Sequence, residues 1–218
     1  MAHAAIACFL GDTVEAMLAF AAVRPAEVPR IALVDFCNDS VGTSLAVLKA
    51  MFDRYQAATD NNQPDIARKY KLFGVRLDTS KNMRDVAILP LGDKKLDNGV
   101  NPRLCWEVRQ SLDNAWQTWD LPSAWQERAA AYCRDVKIVV SGGFGPEKIK
   151  WFEELDVPVD VYGVGSSLMS NDEAMGTNTD FTADVVRVKI NGNWEDMAKV
   201  GRSAGINENL EPVDLSDL

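Results

Sequence analysis

KIVVSGGFGPEKIKWFEELDVPVDVYGVGSS, residues 137–167, is the stretch that decides the fold. It opens on the apolar run Ile138, Val139, Val140 and breaks on Ser141-Gly142-Gly143. It enters a helix at Pro146-Glu147-Lys148-Ile149, and a second apolar run closes it on Gly163-Val164-Gly165-Ser166-Ser167. Continuous apolar runs bounded by glycine read as buried strands, and the helix between them completes a βαβ unit. Both strands end in glycine and serine. Glycine lets an anion come close to backbone N–H groups, and the next helix adds partial positive charge at its N-terminus. In a (β/α) barrel that rim commonly takes phosphate. The stretch therefore predicts a phosphate-binding barrel enzyme.

Working outward, the same grammar recurs. Ile31-Ala32-Leu33-Val34-Asp35 and Phe73-Gly74-Val75-Arg76-Leu77-Asp78 read as strands that end on a carboxylate. Thr13 onward is helical, capped by Asp12 or Thr13, and Val41–Tyr55 is helical behind Asn38, Asp39 or Ser40. Residues 57–68 are polar and read as exposed, and 85–102 as a long functional loop. Helices are predicted from Asn101-Pro102 and from about Ser123. The six tryptophans fall mostly at helical spacing and read as core or interface. A loop covers 169–181, and Asp184–Ile190 alternates as a half-exposed strand before an Asn191-Gly192 hairpin turn. The chain reads as one partial barrel domain, 1–218, with a polar tail from about 205. Strands alternating with helices argue for a parallel sheet or barrel.

Composition bounds the chemistry. The chain has 218 residues, a formal net charge of −9 and 47% hydrophobic residues, an ordinary globular profile that argues against nucleic acid or an anionic membrane as main partner. Its four cysteines (Cys8, Cys37, Cys105, Cys133) show no CxxC spacing and read as buried free thiols in a reducing cytoplasm. No apolar run approaches the ~20 residues that span a bilayer. MAHAAIACFLGD has no basic n-region and soon meets Asp12, unlike a cleaved signal peptide.

The strand ends carry the candidate site. Asp35 and Asp78 are either helix caps and turn formers, or paired carboxylates that hold Mg²⁺ against a diphosphate or bind ribose hydroxyls. Arg76 lies two residues before Asp78 on the same strand face. It either forks onto a phosphate or pairs with one of those aspartates. Ser141, Gly142, Gly143, Gly163, Gly165 and Ser166 fit one phosphate between two adjacent strand ends. Those glycines would equally serve a tight turn or close helix packing. Ser80, in the polar run Thr79-Ser80-Lys81-Asn82, is counted as substrate-binding with them. His3 is the single histidine; composition alone leaves it a solvated side chain near a terminus.

Together these stretches resemble the nicotinate phosphoribosyltransferase family. The resemblance is carried by MAHA (1–4), GDTVEA (11–16), PRIALVDFCND (29–39), GVRLDTSKNM (74–83), GVNPRLCWEVR (99–109), KIVVSGGFGPEKI (137–149), VPVDVYGVGSS (157–167) and DFTADVV (180–186). It implies an incomplete (β/α) barrel of the type II phosphoribosyltransferase kind. It also implies transfer of a phosphoribosyl group from phosphoribosyl pyrophosphate to nicotinate, giving nicotinate mononucleotide in pyridine nucleotide salvage. Mg²⁺ assists, and ATP drives the reaction through a phosphorylated histidine matched by His3. Asp35 and Asp78 match carboxylates near ribose, diphosphate and metal; Arg76 matches a ligand-contacting arginine. Gly142, Gly143, Gly165 and Ser166 match the 5′-phosphate cradle.

The family carries a further segment before the histidine motif, which holds the pyridine ring. Here the motif's Gly-Thr is missing and Ala2 stands where proline is usual. The expectation is a chain active only when completed, which associates with itself as a homo-oligomer or with a separate N-terminal chain. A non-catalytic phosphate-binding remnant pairing with a complete enzyme is the alternative. A barrel enzyme acting on another sugar phosphate is a third reading.

Overall fold

A computed structural model describes residues 1–165, 167 and 183–204. Four short strands build its centre: β1 (Ile31–Leu33), β2 (Gly74–Leu77), β3 (Lys137–Val140) and β4 (Val161–Tyr162). They are all parallel, in the order β1-β2-β3-β4. The register sets Leu33 beside Arg76 and Arg76 beside Val139. The β1 strand is shorter than its apolar run, and the run before Gly163 yields only the two residues of β4.

Period-two alternation divides the sheet. Ala32, Val75, Leu77, Ile138 and Val140 join the main core with the helices. Leu33 faces the other way, into a smaller cluster with Ile6, Phe36 and Val188. Arg76 is in register with Leu33 and shares that second face.

The helices follow from caps and apolar spacing. They are α1 (His3–Ala7), α2 (Thr13–Val23), α3 (Ser40–Asp60), α4 (Pro64–Lys69), α5 (Lys94–Asp97), α6 (Pro102–Asn114), α7 (Ser123–Asp135) and α8 (Pro146–Glu154). Asp12, Asp39 and Asn101 accept from the N–H groups of Glu15, Gly42 and Leu104 and start α2, α3 and α6. The face Val47, Leu48, Met51, Phe52 of α3 is fully buried. Phe52 meets Trp119, Trp125 and Tyr132 with ring centroids 4.8, 5.9 and 5.2 Å away. Tyr132 donates to the carbonyl of Tyr70 and accepts from the N–H of Leu72, fixing this cluster under β2. At the far end of the sheet the buried Arg30 donates to the carbonyls of Ala21, Arg24, Pro25 and Val28.

Several expectations are corrected. Residues 57–68 are largely exposed, as expected, but they are not irregular: α3 runs on to Asp60, and α4 begins at Pro64. Segment 85–102 is largely the irregular loop expected, interrupted by the four-residue α5, and side chains anchor it. Asp85 accepts from the N–H groups of Ser40 and Ala87, and Asp97 from those of Leu91 and Gly92. Cys105 and Cys133 are buried, but Cys8 and Cys37 are exposed, and all four are free. Trp106 and Trp194 are exposed as well.

The hairpin β5 (Arg187–Ile190) to β6 (Asn193–Asp196) turns on Asn191 and Gly192, both at positive φ, as the Asn-Gly signal predicts. The 169–181 loop and the tail beyond 205 lie outside the described residues. No helix among the described residues is long and apolar enough to cross a membrane.

Candidate functional site

The carboxyl ends of β1, β2 and β3 bring together residues far apart in sequence. Asp35 follows β1 and is buried. Its Oδ1 lies 3.1 Å from Nε2 of His3, which α1 carries over the strand end. An ionised carboxylate only accepts, so Nε2 is the protonated nitrogen of this pair. The reading of His3 as a solvated terminal side chain is thereby corrected. Asp35 Oδ2 takes a buried ion pair from Lys199, just beyond the hairpin. Burial pushes the Asp35 carboxyl up, but the His3 hydrogen bond and the Lys199 charge outweigh it and hold the group below its ordinary value of 3.8.

Asp78, at the end of β2, is tied into the same cluster. Lys199 Nζ donates to its backbone carbonyl at 3.1 Å, and Ser141 Oγ donates to its Oδ1 at 2.8 Å. One donor atom each from His3, Asp35 and Asp78 lie within 4.8 Å of one another, a spacing that one cation could bridge. Among the described residues Asp78 Oδ2 has no hydrogen-bond partner, whereas both oxygens of Asp35 are engaged.

Beside this cluster opens a cavity of about 550 Å³ lined by Arg76, Ser141, Gly142, Gly143, Gly163 and Gly165, with Phe144 and Gly145 leading to α8. Gly142 and Gly143 have φ of +86° and +73°, which L side chains rarely adopt. A Cβ on Gly142 would sit 3.2 Å from Asp78 Oδ1, and one on Gly163 3.2 Å from Ser141 Cβ, so either would crowd its neighbour, and Gly142 is strained for an L residue as well. Gly143 and Gly165 meet nothing within 4 Å and leave open room. The α8 helix begins at Gly145 without a side-chain cap, so its first N–H groups are available to an anion. Arg76 projects from β2 into the cavity lining and donates to the carbonyl of Met1 at 3.0 Å.

The structure therefore brings together His3, Asp35, Asp78, Arg76, Ser141, Gly142, Gly143, Gly163 and Gly165. Ser80 stands apart: its Oγ accepts from the N–H of Asn82 in a local turn, and it does not line the cavity. Ser166 lies outside the described residues. Lys199 is the residue that the sequence reading missed. Its signal is a lone lysine shortly after the Asn-Gly hairpin, which folds the chain back onto the Phe36 carbonyl through the N–H of Val200.

No family model matches the chain, and no curated protein does. Among solved structures it is similar to the crystal structure of nicotinate-nucleotide pyrophosphorylase from Pyrococcus furiosus. The two are 32% identical over 94% of this chain and 38% of that one, with a TM-score of 0.45. The chain thus spans about 38% of the length of the archaeal protein.

Proposed function

We propose that this chain is the catalytic segment of a nicotinate phosphoribosyltransferase, with its four-stranded sheet part of a type II (β/α) barrel. What supports the reading is one convergence: a bare-backbone glycine cradle and an arginine line one cavity at the ends of neighbouring parallel strands, and two carboxylates lie beside it, Asp78 bonded to the lining residue Ser141. The 5′-phosphate of phosphoribosyl pyrophosphate takes the cradle of Gly142, Gly143, Gly163 and Gly165 at the start of α8. Departure of pyrophosphate builds positive charge on the ribose and negative charge on the leaving group. Asp78 and Asp35 stabilise the first, and Arg76 the second.

The oxygen donors present fit Mg²⁺, a hard cation. Asp78 would hold it through Oδ2, and Asp35 joins only if Lys199 yields an oxygen. The ion, when bound, neutralises the diphosphate charge. Asp35 orients His3 by accepting from Nε2, leaving Nδ1 as the nitrogen that would take the γ-phosphoryl group of ATP, the β–γ anhydride bond breaking and ADP leaving.

The test is product analysis of the protein with phosphoribosyl pyrophosphate, Mg²⁺ and ATP, offering nicotinate, nicotinamide or quinolinate. Nicotinate mononucleotide and pyrophosphate are expected from nicotinate. His3→Ala abolishes the ATP requirement or the turnover, and Asp78→Asn lowers the rate about 10²-fold. A folded protein that binds ribose 5-phosphate by calorimetry yet converts none of the three pyridines is instead a non-catalytic phosphate-binding module. The proposal then falls.

A further inference from the structure

We infer that Lys199 is a built-in counter-cation that closes the strand-end carboxylates to free divalent cations, so that a cation enters only together with a diphosphate ligand. The inference deepens the phosphoribosyl reading of the same site, and rests on it only for the ligand that carries the cation in.

His3, Asp35 and Asp78 offer donor atoms within 4.8 Å of one another, yet most of that set is already engaged. His3 Nε2 carries the proton of its 3.1 Å bond to Asp35 Oδ1 and has no lone pair to give a metal. Asp35 Oδ2 is paired with the Lys199 ammonium, and Asp78 Oδ1 accepts from Ser141 Oγ at 2.8 Å. Among the described residues, Asp78 Oδ2 is the carboxylate oxygen of the pair without a hydrogen-bond partner. One such oxygen is a poor site for a cation that demands near-octahedral oxygen ligands. Charge decides the matter further, because an ammonium in contact with Asp35 neutralises it and repels a second cation at the same donors.

Lys199 is held in that position. Its side chain is 5% exposed, and Nζ also donates to the Asp78 backbone carbonyl at 3.1 Å, between the ends of β1 and β2. The backbone on either side is tied down: the N–H of Met197 donates to the Val186 carbonyl at 3.1 Å, and that of Val200 to the Phe36 carbonyl at 2.9 Å. Moving the ammonium away strands the buried Asp35 carboxylate without its counter-charge. A diphosphate removes the need to move it, since Mg²⁺-type ions are commonly held by one or two carboxylates plus the phosphates of a ligand. The ligand then supplies the oxygens that Lys199 withholds, and Asp78 Oδ2 supplies the protein's share.

The test is calorimetric titration of the ligand-free protein with Mn²⁺, and of the protein with phosphoribosyl pyrophosphate in the presence and absence of Mn²⁺. The wild type should bind Mn²⁺ alone only weakly, with Kd on the order of millimolar, and Mn²⁺ should strengthen phosphoribosyl pyrophosphate binding about tenfold. Lys199→Met frees a second carboxylate and should bind Mn²⁺ alone about tenfold more tightly than the wild type. Mn²⁺ should then raise the urea midpoint of Lys199→Met and leave that of the wild type in place. Lys199→Met/Asp35→Asn should lose the gain. If Lys199→Met does not fold, Lys199→Gln, which keeps an N–H donor for the Asp78 carbonyl but no charge, should show the same gain. Equal Mn²⁺ affinity in the ligand-free wild type and the charge-removed variants overturns the inference, even where Mn²⁺ strengthens phosphoribosyl pyrophosphate binding and the phosphoribosyl reading holds. A gain in the variants, with no binding of phosphoribosyl pyrophosphate with or without the ion, sinks the phosphoribosyl reading and leaves the role of Lys199 standing.

Discussion

Lys199→Met isolates the contact that ties the hairpin to the strand ends. The Asp35 side chain is 0% exposed and that of Lys199 5%, so the substitution leaves a carboxylate buried without its main counter-charge. Breaking a buried pair from one side costs about 3–5 kcal/mol. The His3 hydrogen bond to Oδ1 survives, which places the expectation near the lower end, about 3 kcal/mol. With a urea slope of about 2 kcal/mol/M, the unfolding midpoint followed by far-UV circular dichroism should fall by roughly 1.5 M at pH 7.

The pH dependence has a definite sign. Asp35 has a depressed folded pKa, so its contribution is fully present above the unfolded value of 3.8 and is lost as pH falls through the lower folded value. In Lys199→Met, protonation of Asp35 relieves the stranded charge, so the penalty must shrink between pH 7 and pH 3.5. The Asp35→Asn/Lys199→Met double variant should lose less than the sum of the two single losses. A penalty equal at both pH values, together with additive singles, would refute the argument that the pair is electrostatic.

Three further outcomes are expected. Gly142→Ala forces an L residue to φ +86° with its Cβ 3.2 Å from Asp78 Oδ1; it should cost about 1–2 kcal/mol in denaturant titration and weaken ribose 5-phosphate binding about tenfold. Burial pushes the Cys105 thiol up to about 12 and the Cys133 thiol up to about 11, so at pH 8 a thiol reagent should label Cys8 and Cys37 in the folded protein and all four thiols only in urea. In the described sheet β1 and β4 are edge strands, and unpaired edges seek partners. Sedimentation should show self-association or capture of a separate N-terminal chain, and a monomer at high micromolar concentration contradicts that.

Local physics made much of the fold legible. Asp12, Asp39 and Asn101 cap helices because a short polar side chain precedes an apolar helical repeat, and both signals lie within a few residues. The four parallel strands announced themselves as β-branched runs ending in glycine or aspartate. Polarity reported exposure correctly at 57–68, where only Ala58 and Ala67 are buried, but it did not reveal that α3 and α4 occupy the stretch. At 85–102 missing periodicity indicated the loop correctly apart from α5, but the order of the segment comes from Asp85 and Asp97 accepting backbone N–H groups, a role that no periodicity reports.

The site divides along the same line. Asp35, Asp78, Arg76 and the glycines are strand-end residues, so a correct strand assignment places them on one rim without any tertiary knowledge. Lys199 is different, because its partner is 164 residues away in sequence and nothing local marks the pairing. Yet Asp35 required such a residue. A carboxylate that is 1% exposed needs hydrogen-bond donors or a cation. The single histidine supplies one donor to Oδ1 and leaves Oδ2 unanswered. A bridging metal or a second cationic side chain were the physical options, and the fold supplies the second through the hairpin. Because Lys199 also donates to the Asp78 backbone carbonyl, the hairpin does more than satisfy a buried charge: it ties the carboxyl ends of β1 and β2 to each other. A variant that shortens the Asn191-Gly192 turn should therefore alter ligand binding at the rim before it alters the main core, whose apolar contacts lie on the opposite face of the sheet.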